Sequence, residues 1–313
     1  MECQRYGDMS DLFIPQFIFV KKNFLLVIAL FVSITHLYGQ TDPFITQVTI
    51  PFGNQEGHIR YPELNDVGDM DIDEDGNIFI ADWVDSSIKK FNSQGKYLGK
   101  LKQKGVQLLD VVCYDRKLYS FDMAHKNNDL YIFSTDSLRL IEKKKHIFSG
   151  YLPSVTSSSF HRKMIFKQFR PFESSAKYHI VDLSSGEIVL NLKSPFDAIQ
   201  LSDKEREFLK SHATGHTPTQ YLGKVNRWLL FQGGIGDPDY RIAFFKVCSN
   251  EHKMLQAKLK VSDLGNVTYG APQNHWRFKK NRWLYFLGYR DDMILISKID
   301  LKKLFPEVYE DNK

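Results

Sequence analysis

Residues 69–83 read DMDIDEDGNIFIADW, and the fold turns on whether they close a calcium loop or a β-hairpin. In the first reading Asp71, Asp73 and Asp75 supply hard oxygens, Gly76 the sharp turn and Ile78 the apolar position beyond it. A bidentate Glu should then close the cage, and Asp82 stands in its place. Ile78-Phe79-Ile80-Ala81 is also strand-like; extended at about 3.3 Å per residue, it carries Asp82 away from Asp71. In the second reading Asp75-Gly76 makes the turn and Asn77 tolerates an unusual φ. Both flanks are strands, so the stretch is a hairpin turn.

Outward from that turn, short runs alternate with turn chemistry. Ile78–Ala81 ends at Asp82, Asp85-Ser86-Ser87 turns the chain, Ile88 and Phe91 follow, and Ser93-Gln94-Gly95 leads into Tyr97-Leu98. Connections this short join antiparallel strands only, so with the run before Asp75 they form a four-stranded meander. The cadence returns in DVVCYDRKLYSFDMAHKNNDLYIFSTDSLRLIE and SSSFHRKMIFKQFRPFESSAKYHIVDLSSGEIVLNL. It returns again in KVNRWLLFQGGIGDPDYRIAFFKVCSNEHKMLQAKL and FKKNRWLYFLGYRDDMILISKIDL. Small antiparallel sheets repeating about every 40–50 residues predict a β-propeller, because one blade cannot bury both faces and a ring of blades can. FITQVTI at 44–50 is a spare strand placed to complete the last blade. A sixth, degenerate blade is expected around residues 190–225. That interval also holds the one helix signal, Ser202-Asp203-Lys204-Glu205, a capping box with Phe208 and Leu209 as its apolar edge and Gly215 and Pro218 beyond. Such an inserted helix either shapes a ligand entrance or decorates the surface.

DIDEDGNIFIADWVDSSIKKFNSQGKYLGKL resembles an NHL-type repeat and is similar to the blades of bacterial six-bladed propellers of the TolB-like group. The likeness lies in the Asp-Gly-Asn turn at 75–77, the Ile-Phe-Ile-Ala-Asp strand, Ile88 with Phe91, and Gly95 before Tyr97-Leu98. It is specific over 71–101, weaker over 110–141 and architectural beyond. The resemblance implies six blades and no single activity, since such propellers include binding and structural modules, hydrolases and lyases.

Composition agrees with a strand-rich globular chain. Of 313 residues, 42% are hydrophobic, and an aromatic share of 14%, with 24 Phe and 15 Tyr, suits pleated surfaces. The net charge of +5 is spread along the chain, and Lys143-Lys144-Lys145 and Lys279-Lys280 read as caps of exposed edges or turns, which argues against a nucleic-acid partner. Residues 1–40 read as a leader. Lys21-Lys22 precede the apolar run Phe24–Val32, with Gly39-Gln40 as the cleavage point and a start near Val20 accounting for the stretch upstream. An uncleaved N-terminal anchor is the alternative, since Leu37 is bulky for a cleavage site. Cys113 and Cys248 are expected as buried free thiols, with Cys3 lost in the leader.

Candidate sites are few. Asp82, before Trp83, is expected to accept hydrogen bonds from backbone N–H groups at a strand corner, with Asp122 and Asp182 doing likewise in later copies. His212 and His216 have zinc-like helical spacing, but Gly215 and Pro218 end the helix between and beyond them, and no Glu follows His212. His58, His125, His161, His179 and His275 are dispersed. FQGGIGDPDY reads as a hairpin loop with an Asp237-Pro238 turn rather than a phosphate cradle. NHWRFKKNRWLYFLGYRDD interleaves aromatic and basic residues, either as a sugar- or peptide-facing surface or as plain strand alternation.

These readings predict an all-β six-bladed β-propeller of four-stranded antiparallel blades over residues 41–313, with one short inserted helix. The expected function is that of an exported binding or interaction module, a monomer in the periplasm, cell envelope or extracellular space. Its ligand, a protein, peptide or carbohydrate, would bind at the central channel or on the loop face. The alternatives are a metal-dependent, lactonase-like hydrolase or lyase with channel-facing ligands, and a structural component of a cell-envelope assembly. No catalytic residue, metal ligand or cofactor is assigned.

Overall fold

In the computed structural model the described residues are 44–60, 68–108, 110–122, 129–145, 158–160, 163–168, 177–192, 201–213, 220–233, 239–247, 252–265, 276–290 and 293–310. The chain divides after Pro43, and the fold described is that of Phe44 onward. It is all-β and propeller-like, with five four-stranded antiparallel sheets and few helices among the described residues. The first sheet comprises β2 (Met70–Ile72), β3 (Ile78–Asp82), β4 (Ser87–Phe91) and β5 (Tyr97–Leu101). The second has β6 (Val112–Tyr114), β7 (Lys117–Phe121), β8 (Leu130–Ser134) and β9 (Leu140–Lys144), and the third β10 (Ser158–Phe160), β11 (Lys163–Gln168), β12 (Lys177–Asp182) and β13 (Ile188–Leu192). The fourth has β14 (Gln220–Val225), β15 (Trp228–Gly233), β16 (Asp239–Val247) and β17 (His252–Lys260). The fifth joins β18 (Trp276–Lys279), β19 (Trp283–Arg290) and β20 (Met293–Asp300) to β1 (Ile45–Pro51), which pairs from Ile45 opposite Ile299 to Pro51 opposite Met293. The spare N-terminal strand therefore completes the last sheet, as its sequence predicts.

Strand β3 shows why the sheets need one another. All five of its residues are buried. Ile78 and Ile80 point one way, into a cluster with Leu287, Ile294 and Ile296 of the fifth sheet. Phe79 and Ala81 point the other way, against Leu108, Val111, Cys113 and Phe133 of the second. Each fully buried Ile or Phe contributes about 1.5–3 kcal/mol relative to exposure, so a lone sheet would forfeit one of its two apolar faces. The same sharing runs onward. Tyr119, Phe121 and Ile132 meet Val181 and Leu183 of the third sheet. Ile180 shares a cluster with Tyr221, Leu229 and Phe231 of the fourth, and Trp228, Leu230 and Phe244 pack with Trp276, Leu284 and Phe286 of the fifth.

The expected sixth blade is not found among the described residues. The described residues of the interval 190–225 include the end of β13, helix α1 (Asp203–Ala213) and the whole of β14. Phe208 and Leu209 of α1 lie in the cluster that joins the third and fourth sheets, so the helix is a core wedge rather than an ornament. Its capping box forms as read: Glu205 N–H donates to Ser202 Oγ at 3.3 Å, and Ser202 N–H to Glu205 Oε2 at 2.9 Å. Three further short helices follow among the described residues, α2 (Val261–Leu264), α3 (Leu301–Leu304) and α4 (Pro306–Glu310). Among the described residues no helix is long and apolar enough to cross a membrane. The leader, with Cys3 and its expected cleavage point, lies outside them, as do Cys248 and the Asp237-Pro238 turn. Cys113 is buried and free, as expected.

Candidate functional site

The first strands of four of the sheets come together, β2 beside β6 and β18, and β14 beside β18. β2 and β6 belong to different sheets, and carboxylates bridge them instead of a ladder. Asp69 Oδ2 accepts from Val111 N–H at 3.1 Å, Asp71 Oδ2 from Cys113 N–H at 2.7 Å, and Glu74 Oε1 from Asp115 N–H at 2.7 Å. The Val111 and Cys113 N–H groups are buried and must find acceptors, which Asp69 and Asp71 provide. Cations from β18 complete the rungs: Arg277 pairs with Asp69, and Lys279 Nζ with Asp71 Oδ1 at 2.7 Å. Arg277 is 3% exposed and Asp71 not at all, so these are buried pairs binding three sheets together.

The opening stretch thus divides its aspartates among separate tasks. Asp71 belongs to this lattice. Asp73 closes the turn, accepting from Asp75 N–H at 3.0 Å, Asn77 N–H at 2.7 Å and Asn77 Nδ2 at 2.8 Å. Asp75 is exposed, and Gly76 adopts φ +86°, the left-handed turn conformation that glycine takes without strain. It is the hairpin.

Asp110, beside the lattice, is 5% exposed, and its Oδ2 has no hydrogen-bond partner among the described residues. Burial and the neighbouring Asp69 push its carboxyl well above the usual range, against the pull of Arg277. Burial, with Asp71 beside it, likewise pushes the Cys113 thiol up.

Asp82 does what its position suggests, accepting from Arg60 N–H and Asp85 N–H at 3.0 Å each. Lys89 Nζ also meets it at 2.6 Å, a buried ion pair that strand alternation did not reveal. Asp122 stands just after the second strand of its sheet, where Asp82 ends the second strand of its own, and accepts from Gln107 N–H at 3.3 Å. Asp182 also accepts from neighbouring backbone N–H groups, as expected, but at a different turn of its sheet. It ends the third strand of its sheet and caps the next hairpin, accepting from Ser184 N–H at 2.9 Å and Ser185 N–H at 3.0 Å. Lys279 also departs from its reading as an exposed cap, being tied to Asp71, whereas Lys280 is exposed at the turn as read.

Of the histidines, His58 Nδ1 lies 3.3 Å from the carbonyl oxygen of Phe52. His212 lies in α1 and His179 in β12, while His125, His161, His216 and His275 lie outside the described residues. Among the described residues no group of three or more His, Cys, Asp or Glu side chains is placed to hold a metal.

Beyond the lattice, where the strands turn into their first hairpins, lies a cavity of about 400 Å³. Every sheet contributes to its lining, with Glu74 from the first, Tyr114 from the second, Leu183 from the third, Lys224 from the fourth and Phe278 from the fifth. Its charged groups are held in place. Glu74 is engaged as above, Lys224 Nζ meets Glu205 Oε1 at 2.7 Å, and Lys280 Nζ donates to the Glu74 carbonyl at 2.7 Å. Gly223 is required in the wall, because a Cβ there would come within 2.4 Å of the Phe278 ring. WRFK at 276–279 faces this region with its charges and buries Trp276 behind them, a pairing with DMDID that two period-two strands of opposite charge could have signalled.

No family model matches the chain, and no curated protein matches it. Solved structures similar to it are propeller-like proteins. A luciferin-regenerating enzyme is 10% identical with a TM-score of 0.42, over 82% of this chain and 95% of that one. A streptogramin B lyase is 8% identical with a TM-score of 0.39, over 84% and 100%. The catalytically inactive virginiamycin B lyase from Staphylococcus aureus, solved with quinupristin, is 10% identical with a TM-score of 0.37, over 82% and 99%.

Proposed function

We propose that the chain is an exported binding module, a five-bladed propeller whose ligand enters the cavity common to its sheets. The cyclic sharing of apolar clusters supports five blades around an axis, with the wedge helix between the third and fourth. The observation that carries the binding reading is that residues of all five sheets line one cavity. Its volume is within the few hundred Å³ typical of small-ligand sites. Groups fixed by ion pairs and backbone hydrogen bonds are preorganised for recognition, since little freedom remains to be lost on binding. Export rests on Lys21-Lys22 and the apolar run Phe24–Val32.

The test is ligand-observed NMR on the purified chain with a panel of mono- and disaccharides and short peptides, with product formation monitored in parallel. A ligand bound by the parent chain should be lost or weakened about tenfold in Tyr114→Ser and Phe278→Ser, both keeping the parental circular dichroism spectrum. Turnover of the ligand would replace the binding reading with an enzymatic one. Binding indifferent to both substitutions would remove the cavity from the account.

A further inference from the structure

A second cavity, of about 590 Å³, opens between the first and fifth sheets. The basic-aromatic stretch singled out in the sequence supplies Lys279, Lys280, Trp283 and Tyr285 to its wall, and β20 supplies Lys298. Lys279 is neutralised by Asp71. Lys280 and Lys298 have no carboxylate within ion-pairing distance among the described residues; Lys280 meets only the Glu74 carbonyl, and Lys298 Nζ lies over the Trp283 ring, 4.0 Å from its centroid.

The acidic groups nearby are largely committed elsewhere. Asp73 is used by its own turn, and Arg282 takes Asp300 through two contacts of 2.8 and 2.6 Å. Asp75, exposed at the rim, is the remaining negative group of the lining. Burial and then the charge of Lys280 press the Lys298 ammonium below its ordinary range; Asp300 opposes this and Arg282 adds to it. An anion placed between the two ammonium groups would relieve that repulsion. The aromatic contacts already pin the Lys298 side chain, so less entropy is lost in meeting a ligand.

The cavity is far larger than a bare inorganic anion needs. Thr46, Ser93 and Gln94 bring hydroxyl and amide groups to its exposed rim. Lysines and neutral hydrogen-bonding groups share one lining, with Thr46 directly opposite Lys298 in the strand register, and together match a ring that carries one carboxylate and several hydroxyls.

We propose that this cavity between the first and fifth sheets is a binding site for acidic sugars of the uronate class, the carboxylate held by Lys280 and Lys298 and the hydroxyls by the rim. The site is separate from the cavity common to all five sheets, although Ile72, Asp73, Lys279 and Lys280 border both. Its failure would leave the reading of that cavity standing.

The experiment is titration of the full chain with D-glucuronate, D-glucose and N-acetylglutamate, read by isothermal calorimetry and by tryptophan fluorescence. Glucuronate should bind saturably, at least about tenfold more tightly than either competitor, and more weakly as salt is raised. Lys298→Met and Lys280→Gln should each weaken glucuronate binding about tenfold. Lys253→Gln, an exposed change on β17, should leave it unchanged. Lys280 is itself exposed, so Lys280→Gln retains a folded chain even if Lys298→Met disturbs the packing on Trp283. Absence of saturable glucuronate binding, glucose or N-acetylglutamate binding as tight as glucuronate, or indifference to Lys280→Gln in a folded chain would each overturn the proposal.

Discussion

Replacing Asp71 by Asn tests the lattice and the rejection of a calcium loop together. Asp71 is fully buried, receives the Cys113 N–H at 2.7 Å and pairs with Lys279 at 2.7 Å, with Arg277 Nε 3.9 Å away. The amide conserves volume but removes the charge and sets an NH2 against N–H and ammonium donors. Breaking a buried pair by removing one partner costs about 3–5 kcal/mol. The lower end applies here, because the Lys279 side chain keeps 17% exposure and the Cys113 carbonyl at 3.3 Å as a second acceptor. At roughly 2–4 °C per kcal/mol for a domain of this size, a cost of about 3 kcal/mol lowers the unfolding midpoint by about 6–12 °C. Asp75→Asn, at an exposed turn position, should stay within about 0.5 kcal/mol of the parent. Thermal denaturation followed by circular dichroism in calcium-free buffer reads both. An Asp71→Asn midpoint within about 2 °C of the parent, or an Asp75→Asn loss as large as that of Asp71→Asn, would refute the reasoning.

Two further outcomes follow from the packing and the charges. Phe208→Ala should lower stability by about 3–5 kcal/mol in urea unfolding, because its ring lies 5.4 Å from Phe245 and 6.2 Å from Phe231 between two sheets; a loss below about 1 kcal/mol would show α1 to be peripheral. Asp85 governs part of the acid limb. Burial pushes its carboxyl up, but hydrogen bonds from Lys102 and Ser87 and the charges of Lys100 and Lys102 outweigh it, bringing the value from 3.8 to about 2. A folded value below the unfolded one contributes stability above pH 3.8, lost as pH falls toward about 2. Asp85→Asn should therefore flatten the pH dependence of the unfolding midpoint over that window, and an unchanged slope there would contradict the assignment.

Much of the architecture is legible in local chemistry. The Asp75-Gly76-Asn77 turn, the apolar alternation of Ile78–Ala81 and the Ser202–Glu205 box each act within a few residues of themselves, so their readings survive folding. The pairing of FITQVTI with the last sheet was legible as well, because a three-stranded final repeat and an unassigned strand at the other end imply one another. Asp182 accepts neighbouring backbone N–H groups as read, but which turn of its sheet it serves was not legible. An Asp that ends a second strand and one that ends a third look alike in sequence, and only the count of strands separates a corner from a hairpin cap.

Alternation and turn residues by themselves determined that this chain makes small antiparallel sheets, since strand formation depends on side-chain period and on a few backbone conformations. The tertiary structure alone decided how the five sheets of the described residues and the wedge helix meet, because that depends on how apolar faces fit across sheets. It also decided the fate of the charges. Arg277 and Lys279 meet Asp69 and Asp71 across 208 positions of chain, a match that no local rule encodes, leaving Lys280 and Lys298 without a carboxylate partner among the described residues.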